Sequence, residues 1–483
     1  MIKSPSFLKH DIFSSRPYKT VVSLAKKEGI GLYLVGGFLR DLILVRKKAS
    51  LDLDFSLERG AIHFGRKVAK ALRAGFVILD KEHGCCRVVY KNGYNIVTFD
   101  FVDFRGKTLL DDLRKRDFTI NALAVKVPFE KEEVSDPLAG RRDISKKIIK
   151  VVGSESFDED PLRILRAFSL SAIFGFKITP NTMRLIKKKK DLLPSVACER
   201  LRDELFKVFA SENAYFYVKL MDKHGVLKLV IPQVGLMHNV RQGGYHHLDV
   251  WGHSLETVRK LEELLLKFSE DSRMLAYLDE VLASGRTRRQ LIKLAALLHD
   301  IGKPKAYEVK AGKTMFHGHE RIGRIISDTV SANLKLSTRE RFALDTIIFW
   351  HLRPGYLADN KVLTKRAVHR YFRDTGQEAV SVLLVSIADQ RATRGPLATR
   401  ESRIKHEKVS FSLISRYFEM LEEKPFKRLI GGRDLIKGLK LKPGPVFSVI
   451  LDVVEEAQVE GKIKTRQQAL FLARKTFQQQ SAK

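Results

Sequence analysis

In the first 127 residues the apolar positions come in short β-branched or alternating runs separated by stretches of helical spacing, a rhythm that predicts a mixed sheet with helices. Strands are expected over 32–36, 51–57, 76–79, 86–91 and 94–102, with a helix near 62–74. Asn92-Gly93 supplies the tight turn of a hairpin between the last two strands. From Phe157 onward the period is helical almost without interruption, and helices are expected over 160–171, 199–209, 253–267, 289–299 and 365–375. Ile231-Pro232-Gln233, Gly243-Gly244 and Gly395-Pro396 mark linkers, and Lys442-Pro443-Gly444-Pro445 marks a helix break. Thr465 with Gln468 is a capping-box pair that opens the last helix. The fold class that follows is α+β, a mixed-sheet head and then an all-α remainder, in four parts at 1–150, 151–240, 241–400 and 401–483.

Composition changes this picture in one respect. The chain is 44% hydrophobic and 30% charged, as a globular protein is, but its formal net charge is +32. So large an excess of Lys and Arg calls for a polyanionic partner, with RNA or DNA ahead of anionic lipid. No apolar run approaches the roughly 20 residues of a membrane helix, and the longest, such as 380–388, read as core. Residues 1–7 lack the charged-then-apolar order of a secretory signal. Three cysteines, Cys85, Cys86 and Cys198, give neither a disulfide framework nor zinc-ribbon spacing. A cytoplasmic protein without membrane association is expected.

Asp52 and Asp54 stand one residue apart in an expected strand, so both carboxylates project from one face while Leu51, Leu53 and Phe55 project from the other. Carboxylates side by side repel, and a divalent cation is the usual means of holding them together. Alone, the pair is more often a solvated strand face. Upstream, however, a strand runs into Gly36-Gly37 and then a helix carrying Arg40. Glycines there let backbone N–H groups approach phosphates at a helix N-terminus, and Arg40 adds a bidentate donor. In strand–turn–helix–strand order, the two features together would form a triphosphate-plus-metal site.

The stretch Leu34-Val35-Gly36-Gly37-Phe38-Leu39-Arg40-Asp41, followed by Leu51-Asp52-Leu53-Asp54, resembles the signature of the class II tRNA nucleotidyltransferase and bacterial poly(A) polymerase family. Arg116-Asp117-Phe118-Thr119-Ile120-Asn121-Ala122 is similar to that family's second motif, and Glu159-Asp160-Pro161-Leu162-Arg163-Ile164-Leu165-Arg166-Ala167 to its third. The resemblance implies a polymerase-β-like head that adds nucleotides from ATP and/or CTP to an RNA 3′ end, tRNA first. It implies Mg²⁺ on Asp52 and Asp54, Asp100 as a third catalytic carboxylate, and Gly36, Gly37 and Arg40 on the triphosphate. Arg116 would touch sugar or phosphate. Base selection by side chains is implied too: Asp160 and Arg163, at i and i+3, would share a helix face, with Arg166 a turn on and Asp117 completing the ion-pair network. An Asp that accepts from an exocyclic amine and an Arg that donates to ring acceptors can mimic a Watson–Crick edge. CCA-adding relatives carry a longer flexible loop between the last strand and the second motif. Here only residues 103–107 fill that gap, which leaves CC-only, A-only and poly(A) synthesis open beside complete CCA addition.

A second constellation lies in the helical part. His299-Asp300 ends a helical run, His253 lies upstream, and His319, His351 and Asp389 lie downstream. Neutral imidazoles with carboxylates suit Mn, Ni, Fe or Zn. The order resembles the HD phosphohydrolase superfamily, from near Tyr245 to near Gly395. It implies one metal on His253, His299, Asp300 and Asp389, a second position at His319 and His351, and hydrolysis of a phosphoester such as one left on a damaged RNA 3′ end. Tyr245-His246-His247 would flank the cleft. Basic stretches at 187–190, 400–408, 437–442 and 462–474 suit RNA binding by shape and phosphate, with 401–483 as an RNA-binding tail. Two other readings stand beside the transferase: a phosphohydrolase with an inactive head, and a non-catalytic RNA-binding protein.

Overall fold

Alternation in Leu51-Asp52-Leu53-Asp54-Phe55 produces a strand that is acidic and exposed on one side and apolar and buried on the other, and the head is built around it. The computed structural model describes residues 10–46, 51–93, 95–129, 134–423 and 426–481; residues 1–7, read above for a leader, lie outside them, as does Tyr94. The chain divides into two units, one reaching Val208 and taking in Lys223–Val230, the other formed by Phe209–Asp222 and the chain from Ile231.

The first unit opens with α1 (Arg16–Lys27), β1 (Leu32–Val35), α2 (Gly37–Ile43), β2 (Leu51–Leu57), α3 (Ala61–Leu72), β3 (Gly75–Asp80), β4 (Cys85–Asn92) and β5 (Asn95–Asp103). Next come α4 (Leu109–Arg114), β6 (Ala124–Val127), α5 (Gly140–Ser145), β7 (Ile148–Ile149), α6 (Ser156–Glu159), α7 (Leu162–Phe174), β8 (Lys177–Ile178), α8 (Pro180–Lys189) and α9 (Cys198–Ala210). Six strands make one sheet in the order β3-β4-β5-β2-β1-β6. Its only parallel pair is β2 with β5, so the sheet is mixed, as expected. The β4–β5 hairpin closes with Asn92 opposite Asn95, and Gly93 takes φ +59°. Sequence periodicity did not show β6: Ala122-Leu123-Ala124-Val125 carries no alternation, and it becomes a strand because β1 offers it a free edge.

Under the acidic face lies an aromatic floor. Phe55 and Phe101 stack with centroids 5.5 Å apart, and Phe64 of α3 meets Phe101 edge-on at 5.2 Å. All three are fully buried. Because β2 and β5 pair in register, this floor fixes the height of the carboxylates above it.

The second unit contains α10 (Ala214–Lys223), of which Lys223 falls in the first unit together with α11 (Leu227–Val230). It continues with α12 (Val250–Leu266), α13 (Ser272–Leu278), the hairpin β9 (Val281–Ala283) and β10 (Arg286–Thr287), α14 (Arg288–Leu298), α15 (Lys303–Ala306), and the hairpin β11 (Glu308–Lys310) and β12 (Lys313–Met315). The remaining helices are α16 (His319–Asn333), α17 (Thr338–Trp350), α18 (Arg353–Asp359), α19 (Lys365–Thr375), α20 (Ala379–Ala392), α21 (Arg400–Glu422), α22 (Gly432–Leu439), α23 (Pro445–Val459) and α24 (Arg466–Ser481). The central helix α20 is apolar almost all round, from Ala379 to Ala388, as a helix enclosed by others must be, and α12, α14, α17 and α21 pack on it. Ile430, Leu435, Ile450, Val454 and Ala469 form a separate small core for the last three helices. Among the described residues no helix is long and apolar enough to cross a membrane.

Two expected linkers are not free connections. The Gly395 N–H donates to the Tyr245 carbonyl (2.7 Å) and the Leu397 N–H to the Gly244 carbonyl (3.1 Å), so the Gly243-Gly244 and Gly395-Pro396 segments hold each other. A Cβ on Gly395 would lie 2.2 Å from the Tyr245 carbonyl carbon, which is why glycine stands there. Ile231-Pro232-Gln233 leads into a short 3-10 helix, Pro232–Met237, at the point where the chain passes from one unit to the other.

Phe101→Ala is expected to lower the unfolding free energy by about 3–5 kcal/mol through the cavity left beneath β2 and β5. Urea unfolding checks it; a loss near zero would mean the floor does not anchor the strands.

Candidate active sites

In the head, β1 ends at Val35, which pairs with Asp54 across the sheet, and the chain turns at Gly36 into α2. Gly36 has φ +78° and ψ −146°, a conformation essentially confined to glycine. A Cβ there would sit 3.0 Å from Asp54 Oδ2 and 3.2 Å from Arg116 Nη1, so the turn, the carboxylate and the guanidinium converge. On the other side of β2, the parallel register sets Asp54 beside Asp100 and Asp52 beside Thr98, whose hydroxyl donates to Asp52 Oδ1. Asp100 therefore stands next to Asp54 as expected, but it also accepts two hydrogen bonds from Arg87, at 2.7 and 2.8 Å.

Burial pushes the Asp54 carboxyl up to about 6; Asp100 and Asp52 add to the rise, while Arg116 and Arg87 oppose it. A half-buried carboxyl raised by two others is a set of oxygen donors that a hard divalent cation would relieve, so the residues fit such an ion.

An open cavity of about 190 Å³ adjoins this cluster and brings Gly36, Gly37 and Asp54 together with Arg116, Asp117, Asp160, Arg163 and Arg166. The second and third motifs thus meet the first around one space. Within it, Asp117 accepts from the Phe118 N–H (2.7 Å), Asn121 Nδ2 (3.0 Å) and Arg166 Nη1 (3.3 Å), and Arg166 also reaches Glu204 at 3.4 Å. Against burial, which raises both, Arg166 and the hydrogen-bond donors hold the Asp117 and Glu204 carboxyls below their ordinary values.

Two placements differ from the expectation, and a third residue carries an added structural role. Arg40 is buried with Nε and Nη2 on Asp41 (3.0 and 2.9 Å) and Nη1 on Asn121 (2.5 Å), its guanidinium 4.4 Å from the Phe174 ring centroid. It lies behind Gly37, 3.1 Å from where a Cβ would be, so it buttresses the turn from inside. Asp160 does not share a helix face with Arg163. It sits between α6 and α7 with φ −148°, because a residue before proline is driven out of the helical region by the Pro161 ring. Its carboxylate pairs with Arg200 (2.9 Å), whereas Arg163 donates to the Lys115 carbonyl (2.9 Å) and Ser156 Oγ (2.9 Å). Arg116, expected on sugar or phosphate, also holds Ser56 (3.1 Å) and Asp112 (3.2 Å).

Sequence reasoning missed Arg105, Arg200 and Glu204. Arg105 lines the cavity from the short loop after β5 and donates to the Lys115 carbonyl at 3.2 Å; the only signal that loop carries in the sequence is its length. Arg200 and Glu204 lie on α9, and no local spacing links them to the motifs they contact.

The second unit gathers the other predicted set. His253, His299 and Asp389 can hold one ion, and Asp300, His319 and His351 another. Asp300 thus falls with the second trio, yet its Oδ2 lies 3.1 Å from His299 Nε2 and its Oδ1 3.3 Å from His319 Nε2, so it stands between the two. Its third neighbour is Lys303, 2.7 Å away. The Nδ1 atoms of His299, His319 and His351 each face a carbonyl three residues back, at 2.9, 2.9 and 2.7 Å. That fixes the tautomer and turns every Nε2 inward, with those of His319 and His351 only 3.4 Å apart. Burial pushes His351 down to about 3, keeping it the neutral imidazole a ligand must be. Burial also lowers His253, whereas at His299 burial is outweighed by Asp300 and Asp389, which raise it; inward nitrogens around a shared carboxylate fit transition-metal ions. Asp389 is 14% exposed while His253, His299 and Asp300 are at 1%, 0% and 2%, so solvent reaches the cluster on the Asp389 side. His246 flanks it as expected, its ring 4.5 Å from that of His253.

With this geometry, the family models fall into place. The Poly A polymerase head domain matches residues 32–150, a polymerase A RNA-binding model 175–236, the HD domain 250–394, and a tRNA nucleotidyltransferase second-domain model 397–473. The A-adding tRNA nucleotidyltransferase of Deinococcus radiodurans is 30% identical over 449 residues, 91% of this chain and 94% of that protein. The CC-adding tRNA nucleotidyltransferase of Thermus thermophilus is 28% identical over 90% of this chain and 91% of its own length. The Thermotoga maritima CCA-adding enzyme, solved in complex with tRNA, superposes with a TM-score of 0.62 at 21% identity, covering 98% and 97% of the two chains, a likeness of fold. This chain belongs to the tRNA nucleotidyltransferase and poly(A) polymerase family.

Asp117→Asn is expected to destabilise the protein by about 1–3 kcal/mol at pH 7, because the buried Asp117 loses the charge behind the hydrogen bonds it accepts from Arg166, Asn121 and the Phe118 N–H. Carboxyls held low contribute stability above the ordinary Asp and Glu range and lose it as pH falls, so the gap between wild type and variant should narrow below about pH 4. Urea melts at pH 7 and pH 3.5 measure it.

Proposed function

We propose that this protein adds C and/or A to the 3′ end of tRNA without a template, drawing on CTP and ATP and releasing pyrophosphate. The observation that carries the proposal is the convergence of Asp54, flanked by Asp52 and Asp100, with Arg116 on the Gly36 turn. Asp52 and Asp54 would hold Mg²⁺, which when bound supplies a counter-charge for the triphosphate and acidifies the RNA 3′-hydroxyl. The Gly36-Gly37 backbone would take the phosphates, with Arg116 beside them and Arg40 supporting the turn from behind. Asp160 and Arg163 line the cavity as an acceptor and a donor, each held by a neighbour, and Asp117 with Arg166 braces the same wall, so an incoming C or A that takes over part of those contacts would have its Watson–Crick edge read by the side chains. The two relatives above, alike along nine-tenths of their length, favour tRNA over poly(A) synthesis, and their A-adding and CC-adding names leave the number of nucleotides to the assay. The intact carboxylate face speaks against an inactive head. The parts are read as a transferase head at 1–150, a nucleotide-selecting and RNA-binding part at 151–240, an HD part at 241–400 and an RNA-binding tail at 401–483, in a cytoplasmic enzyme.

Asp52→Ala should cut incorporation of labelled ATP or CTP by more than about a hundredfold while tRNA binding stays near wild type. The assay offers tRNA ending at the discriminator base, tRNA ending in CC and a generic RNA, each with CTP and ATP separately. Undiminished incorporation in the variant would refute the assignment.

A second activity is favoured by the six-ligand cluster of the helical unit: metal-dependent hydrolysis of a phosphoester. The two trios would hold Mn, Ni, Fe or Zn, which when bound supplies an acidified water and polarises the phosphoryl oxygens. Asp300 would bridge them, and Lys303 limits the charge on that carboxylate. His299→Ala should abolish Mn²⁺- or Ni²⁺-dependent phosphoesterase activity and leave nucleotide incorporation unchanged. A wild type inert with both metals would end this reading.

A further inference from the structure

Beside the metal cluster lies a cavity of about 460 Å³, walled by α18, α20 and the first two turns of α21. Its rim is built: the two cross-loop hydrogen bonds from Gly395 and Leu397 pin the segment of Tyr245, which is 58% exposed at the mouth. Three features of its wall point to an anionic ligand. The first turn of α21 presents the N–H groups that a helix cannot satisfy internally, with Thr399 as the cap accepting from the Ser402 N–H. Arg403 is half-buried there and has no carboxylate partner among the described residues. His406, only 2% exposed, forms part of the same wall; its Nε2 meets Ser386 Oγ at 3.0 Å and its Nδ1 has no partner. Asp359 and Gln390 add groups that can bond hydroxyls. The cavity also adjoins the cluster: Gln390 follows Asp389 on α20, and Tyr245 precedes His246, whose ring contacts that of His253.

We propose that this cavity is a sugar–phosphate subsite of the metal centre, holding the nucleotide that precedes the reacting phosphoester at an RNA 3′ end. The internucleotide phosphate lies at Arg403 and the first turn of α21, and the ribose 2′-hydroxyl faces Asp359 and Gln390. A free phosphate would fill a small part of such a volume, whereas a nucleotide uses both its anion-binding end and the hydroxyl-binding wall of Asp359 and Gln390. The inference rests on the phosphoesterase reading of the same centre and adds to it a preference for an RNA end over a free nucleotide. Arg403 is a positioning residue: it binds the strand away from the reacting atoms.

The test uses the full chain loaded with Mn²⁺ and three substrates: bis(p-nitrophenyl) phosphate, a nucleoside 3′-monophosphate, and an RNA trinucleotide bearing a 3′-phosphate. Arg403→Ala should raise KM for the trinucleotide about tenfold or more, the cost of a lost charge-assisted contact, with kcat within about twofold. Arg403→Lys should recover part of the loss, and both variants should match wild type on the aryl ester. For the mononucleotide, which has no internucleotide phosphate, KM should move little. Equal losses on all three substrates, or no loss on the trinucleotide, overturn the subsite while the phosphoesterase stands. A loss as large on the mononucleotide overturns the preference for an RNA end. No hydrolysis of any substrate by wild type overturns both.

Discussion

The head depends on one pairing, the parallel register of β2 with β5. Slipping it by a single residue would turn Asp52 and Asp54 into the aromatic floor and Leu53 and Phe55 out to water, so the burial of Phe55, Phe99 and Phe101 and the projection of the carboxylates are one constraint seen from two sides. The same register brings Asp100 level with Asp54 and, through β4, Arg87 level with Asp100. The acidic face is therefore held at a fixed height and partly neutralised before any ion arrives. Gly36 completes it, because only a residue without Cβ lets the β1–α2 turn approach Asp54 so closely.

Much of this was legible in the sequence because it is local. Strand alternation, the glycine pair and the Asp-x-Asp spacing are short-range signals, and the strands formed within a residue or two of where they were read. What failed was inference that assumed continuity. Asp160 and Arg163 were placed on one helix by spacing, although Pro161 between them already carried the contrary signal. Arg40 reads from sequence as a bidentate donor for phosphate, and in the fold Asp41 beside it and Asn121 far along the chain take its donors, which gives it a supporting place behind the turn. A guanidinium has enough donors to serve structure and ligand alike, and charge alone does not say which.

In the helical unit the ligand residues were readable by type and order, but their grouping was not. His253, His299, His319, His351 and Asp389 come from or follow four long helices and α20, and which of them face one another depends on the packing of those helices around α20. Local chemistry helps at one step: a histidine at a helix end can place Nδ1 on the carbonyl three residues back, and three of the four do so, which aims Nε2 at the centre. Arg105, Arg200 and Glu204 were invisible for the complementary reason, since an isolated charge on a loop or helix has no pattern until its partner is in place.

The two centres manage charge differently, and the contrast bears on why each is retained. In the head, the carboxylates lie at a surface where water and two arginines soften their repulsion. In the helical unit, Asp300 and the histidines around it are sealed in, with Lys303 as the nearest cation. Such a buried polar cluster is a poor source of stability, since apolar side chains of the same volume would serve the fold as well or better. Elsewhere in the bundle, buried charges meet opposite charges, as in Arg286 with Glu340, Lys293 with Glu262 and Arg288 with Glu378. In the cluster, beside imidazole–carboxylate contacts such as His253 with Asp389, the Nε2 atoms of His319 and His351 face each other at 3.4 Å, an arrangement that costs energy in the protein alone and is relieved once a cation sits between them. Its cost to the fold is the physical argument that it is kept for chemistry.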